Sequence, residues 1–159
     1  MKGQAYVRQV SLQAGLPTPP VQIAIVVDTA YVAGAQKQRI TRGVYVFDNQ
    51  LESGSTGEGA IELHTRCPVG SLIGYEGYPI DTGSGDTVAI TGFGISSDGV
   101  FGSSGYPIQQ TADYWIGEAA HFGAEVYSIQ LCITAGALRP TKYYVTIECQ
   151  ITVPNQSRV

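Results

Sequence analysis

"GAEVYSIQLCIT" (Gly123–Thr134) and "KYYVTIECQITV" (Lys142–Val153) decide the fold class. Each alternates apolar and polar residues, the period of a half-buried strand. Tyr127, Ile129, Leu131 and Ile133 share one face of the first, and Ser128, Gln130, Cys132 and Thr134 share the other. In the second, Tyr143, Val145, Ile147, Cys149, Ile151 and Val153 form the apolar face. Keeping both apolar sets on one side of a hairpin requires odd residues to oppose odd residues. That parity puts Cys132 on the polar face and Cys149 in the core, where the two thiols cannot bond. With Cys67 they make three cysteines, read as reduced thiols that pack as small hydrophobes.

Working outward, strand patterns recur at Ala5–Leu12, Val21–Asp28, Val44–Phe47, Gly59–Thr65, Ser71–Tyr75, Thr87–Gly94 and Tyr114–Glu118. Gly-, Ser-, Asp- and Pro-rich turns separate them, among them "LPTPP", "ESGSTGEG", "DTGSGD" and "SSDGVFGSSGYP". The best helical candidate, "EAAHFGAEVY", is short and broken by Gly123. The expectation is an all-β chain with little or no helix, folded as a single-domain antiparallel β-sandwich, jelly-roll-like or related. Residues 1–20 are expected to form an N-terminal strand or arm, which "LPTPP" lets leave the body and pair with a neighbour. Residues 21–159 are expected to form the sandwich.

Bulk chemistry narrows the functions. The 159 residues carry a net charge of −4 with only 14% charged, which argues against nucleic acid, whose phosphates attract a basic stripe. No apolar run is long enough to span a membrane, and the N-terminus lacks the continuous apolar segment of a secretory signal. A cytoplasmic location, or export without a Sec-type signal, is expected. With 20 Gly and 10 Tyr against 9 Lys and Arg, the surface is of the kind that associates readily, so a homo-oligomer is expected.

Three chemistries are worth placing. "IVVDTA" (Ile25–Ala30) and "YPIDTGSG" (Tyr78–Gly85) both set Asp-Thr-small after apolar residues, as aspartic proteases do to bring two carboxylates together. Asp28 and Asp81 are the acids concerned. The two following sequences differ, Pro79 weakens the second as an inner strand, and the plainer reading has Asp28 end a strand and cap the next turn. Asp81, Asp86 and Asp98 lie in Gly-rich loops and are candidate Ca²⁺ ligands, although their spacing matches no EF-hand loop. Asp98, Tyr106, Tyr114 and Trp115 are candidates for carbohydrate, with rings to stack on sugar faces and an acid for hydroxyls. The alternative for Trp115 is a core aromatic. His64 and His121 have neither zinc-type spacing nor a nucleophile elbow nearby, and His64 is read on an exposed polar face with Glu62 and Arg66.

The order of these motifs resembles the AidA/PixA family of bacterial inclusion-body proteins. The likeness runs through "VQIAIVVDTAYV", "GVYVFDN" (Gly43–Asn49), "GEGAIELHTRCPVGSLIGY", "ADYWIGEAAHFGAEVYSIQLCI" and "KYYVTIECQITV", from Val21 to Val153. The chain departs from that family at Ser71, where an acid is usual, at Tyr75, where Trp is usual, and at "IECQI", where the family tends to carry Trp-Asp-Pro. The resemblance implies an all-β, non-enzymatic protein that accumulates in cytoplasmic inclusions. Some members are associated with nematode or insect hosts and with virulence, so the resemblance implies such a role, and a carbohydrate or a host protein is the expected partner. It transfers no catalytic residue.

Overall fold

The computed structural model describes residues 18–155. In chain order its strands are β1 (Val21–Val27), β2 (Val44–Asp48), β3 (His64–Arg66), β4 (Leu72–Pro79), β5 (Thr87–Gly94), β6 (Ile108–Thr111), β7 (Tyr114–Glu118), β8 (Gly123–Ala135) and β9 (Thr141–Val153). One helix, α1 (Thr29–Ala35), follows β1. The strands form two sheets, β2-β1-β4-β7-β6 and β3-β9-β8-β5. The all-β sandwich expected from the sequence is what the chain adopts. The expected arm lies, up to residue 17, outside the described residues.

The β8–β9 hairpin has the parity derived from the sequence: Tyr127 opposes Cys149, Ile129 opposes Ile147 and Leu131 opposes Val145. These side chains are buried, while Gln130, Tyr144 and Glu148 on the opposite face are exposed. All three cysteines are free and buried. Cys132 does point to the outer face, but Ala89 and Tyr144 flank it there and it is buried rather than solvated.

The structure corrects several boundaries. The sandwich is not purely antiparallel, because β1 runs parallel to β4 and β3 parallel to β9. Gly59–Thr65 is mostly turn: Gly57 and Gly59 take positive φ, and only His64–Arg66 pairs as a strand. Pro79 does not break its strand. It stands at the end of central β4, and the ladder is continued by Ile80 N–H donating to Val27 O at 2.8 Å. Helix α1 and strand β6 have no counterpart in the sequence reading.

Between the sheets lies one large apolar core built from the inward residues of both. Its centre is aromatic. Tyr75 meets Phe93 edge-on at 4.9 Å, Phe93 meets Trp115 at 5.4 Å, and Phe101 meets Tyr127 at 5.3 Å. The Tyr75 hydroxyl donates to the Tyr127 hydroxyl at 3.0 Å, so two polar groups enter the core as a pair. Burial holds both phenols well above their ordinary pKa, so they stay neutral.

Candidate functional site

The two Asp-Thr motifs leave from one end of the sandwich. Parallel β1 and β4 finish side by side, Val27 opposite Pro79, so both Asp-Thr turns leave from the same edge of the sheet. Asp28 caps α1, its Oδ1 accepting from Tyr31 N–H at 3.1 Å. Thr29 Oγ1 donates to Asp86 Oδ2 at 2.5 Å, and Gly136 N–H donates to Asp86 Oδ1 at 3.3 Å. Asp81 turns inward on its own loop and accepts from Gly83 N–H at 3.0 Å. The structure therefore brings the two motifs to one place, and each of these three carboxylates accepts from its own turn or a neighbouring one. An acid dyad needs two carboxyls sharing a proton; the contacts here tie Asp28 and Asp81 to backbone instead.

The calcium candidates split. Asp81 and Asp86 share a loop, whereas Asp98 lies in the turn after β5 and accepts from the Ser96 hydroxyl, which lowers its pKa. Among the described residues, no three His, Cys, Asp or Glu side chains gather as a metal ion would require. His64 is half-buried, its Nε2 2.6 Å from Thr152 Oγ1, and Glu62 and Arg66 beside it are exposed.

The carbohydrate candidates are also dispersed. Trp115 faces the main core, and its indole N–H donates to Ile90 O at 2.9 Å. Tyr114, its neighbour on β7, faces the other way, in a separate cluster with Ala24 and Tyr78 on the outside of the first sheet. Burial, then the nearby Glu76 charge, push its phenol up to about 12. Tyr106 keeps a partly exposed ring but donates its hydroxyl to Phe93 O at 2.9 Å. Asp98 stands exposed. Trp115 and Tyr106 thus act on one element. Together with Ala112 O, which accepts from Ile90 N–H at 3.0 Å, they occupy backbone groups of β5, the edge strand of the second sheet.

Two of the other three edges, β2 and β3, are treated alike. Beside β2, Gly59 N–H donates to Val46 O at 2.7 Å and Glu58 Oε1 accepts from Asp48 N–H at 2.8 Å. Beside β3, Thr56 exchanges two hydrogen bonds with His64, at 3.0 and 2.9 Å. Sequence reasoning found none of these edge closures, because each couples residues that no local pattern links.

That leaves the two outer faces. On the second sheet, the outward residues of β5 and β8 run through Thr87, Ala89 and Gly94, then Val126, Gln130 and Thr134, and none is charged. Val126 is 62% exposed and Tyr144 on the adjacent β9 59%. On the first sheet the outward face is mostly apolar, with Tyr45 and Phe47 on β2, Ala24 and Val26 on β1, Tyr78 on β4 and Tyr114 on β7, and it also carries the buried polar residues Gln22 and Glu76. No helix among the described residues is long and apolar enough to cross a membrane.

Comparison with known proteins follows the same lines. The family described as Domain of unknown function (DUF8788) matches residues 19–138. No curated protein matches the sequence. Among solved structures, the chain is similar to an inclusion body protein, PixA, from Burkholderia cenocepacia, with a TM-score of 0.70 and 18% identity. The match covers 89% of this chain and 99% of that one. At that identity the likeness is one of fold.

Proposed function

The chain belongs to the family described as Domain of unknown function (DUF8788), and from that premise we propose that it is a non-enzymatic protein that self-associates and accumulates as cytoplasmic inclusions. The observation that carries this reading is the uncharged outward face of β5 and β8. Soluble sheet proteins usually hold copies apart with charges on such surfaces. Here Thr, Gln, Gly and Val present a low-charge face that loses little on desolvation against a second copy. The charged residues of this outward face stand beside the β5–β8 patch, Lys142 and Glu148 on β9 and Arg66 on β3, and Glu148 is paired to Arg39 at 3.3 Å. In the second sheet both edges, β3 and β5, are occupied, which favours association by its face over association by added strand. Support also comes from the fold shared with an inclusion body protein. The acids of the Asp-Thr turns, spent on capping, support a role without catalysis.

The test is sedimentation velocity across a concentration series on the wild-type chain and on the double variant Val126→Lys, Gln130→Lys. Placing two cations on the face of each copy is expected to weaken association at least ten-fold while the circular dichroism spectrum stays unchanged. Equal association in both proteins would count against this face.

A further inference from the structure

One stretch of backbone in the second sheet escapes the edge closures. β9 runs past its neighbours on that side: β3 pairs only with residues 150–152, and Arg39 bridges to Thr146. Thr146 N–H donates to Gln38 O at 2.7 Å and Gln150 N–H to Leu63 O at 3.0 Å. The even-numbered residues of β9 therefore point their N–H and C=O groups away from β8. By the same alternation Lys142 and Tyr144 each present an N–H and a C=O outward. No described residue bonds them there.

A groove lies at that place. It holds about 420 Å³ between residues 36–38, which follow α1, and residues 141–144 of β9, with the buried Val32 in its lining. Its charge runs against that of the molecule. The chain is −4 overall, yet Lys37 and Lys142 line the groove and no carboxylate does. Neither lysine has an ion pair among the described residues; the Arg39–Glu148 pair lies further along β9. Arg139 stands exposed in the turn that leads into β9, beside Leu138, which is 97% exposed. Tyr144 is exposed on the strand itself. Tyrosine and arginine are enriched where protein interfaces are anchored.

The geometry points to this groove as the docking site of an extended acidic segment of a partner protein, added to β9 as a short strand in line with residues 38–39. The outward N–H and C=O groups of Lys142 and Tyr144 bond its backbone, and the two lysines select acidic side chains. Residues 38–39 occupy the edge beyond, so the added strand stops there and spans about four residues, roughly 13 Å. A basic strand gains the same backbone bonds but sets like charges against Lys37 and Lys142. A bare anion answers the lysines alone and leaves the strand backbone unused.

The test follows hydrogen exchange at single amides of the full-length chain, with and without a heptapeptide of alternating valine and glutamate. The Lys142 and Tyr144 amides are expected to exchange freely in the chain alone and at least ten-fold more slowly with the peptide. The same peptide with lysine in place of glutamate, or with its backbone nitrogens methylated, is expected to leave them unprotected. Amides already protected in the chain alone, no slowing by the glutamate peptide, or equal slowing by either control peptide would overturn the assignment. Fluorescence anisotropy of the labelled glutamate peptide reads the same contact independently. The double variant Lys37→Glu, Lys142→Glu is expected to weaken binding at least ten-fold while circular dichroism shows the sandwich intact. Binding unchanged in that variant, or equal binding of the methylated peptide, contradicts a strand docked by backbone and charge together.

Discussion

Removing one hydroxyl of the Tyr75–Tyr127 pair leaves the other buried without its partner. Tyr127→Phe or Tyr75→Phe is expected to cost about 1–2 kcal/mol, while the double variant costs less than the sum, because an unmade buried hydrogen bond is worse than none. Urea unfolding of the three variants measures this coupling. Glu58 offers a second case. Burial, then its hydrogen bond and charge contact with Asp48, raise its carboxyl from 4.5 to about 7. The folded state thus binds the proton more tightly than the unfolded chain. The stabilisation is complete below about pH 4.5 and is lost as pH rises through 7. Wild-type melting temperature should therefore fall between pH 5 and pH 8 relative to Glu58→Gln, which keeps the neutral form throughout. Parallel melting curves for the two proteins over that range would contradict it. Neither pairing was legible in the sequence, since Tyr75 and Tyr127 are 52 positions apart and Glu58 reads as a loop acid.

At the scale of elements, legibility followed periodicity. β8 and β9 were readable to within a residue or two, parity included, because both are long and buried on one face only. Central β1 and β4 were readable as strands but not as a parallel pair, since burial on both faces leaves no alternation to fix a partner. β6 escaped notice because it is a four-residue edge held mainly by β7. Helix α1 escaped because its seven residues give less than two turns of pattern. Its ends are nonetheless chemically defined. Asp28 caps the start, so Asp28→Ala is expected to cost about 1 kcal/mol. Gln36 ends it at φ 52°, the one described non-Gly residue with positive φ. Gln36→Gly is expected to stabilise the chain by roughly 0.5–1 kcal/mol, visible as a rise of about 2–4 °C in calorimetric melting temperature. A lower melting temperature for that variant would contradict the capping account. The candidate site was legible only in part. The two Asp-Thr turns were noticed as a pair and do meet, whereas Trp115, Tyr114 and Tyr106 could not be separated into core, outer face and edge without the sheet order.

For the whole molecule, the pattern is a sandwich in which three of four edge strands, β2, β3 and β5, are occupied and whose two broad faces differ. Trp115, Tyr106, Glu58, Gly59 and Thr56 occupy edge backbone that would otherwise invite strand addition. One face, on the first sheet, is mostly apolar. The other, on β5 and β8, is polar but uncharged. Assembly by such a face depends on desolvation and packing rather than ion pairing, so it should persist in salt. The most direct measurement is sedimentation velocity of the full-length chain over a hundred-fold concentration range, at low and at high salt. The account predicts a weight-average mass that climbs with concentration and does not fall when salt is added. A monomer at every concentration, or oligomers that dissociate in salt, would contradict it.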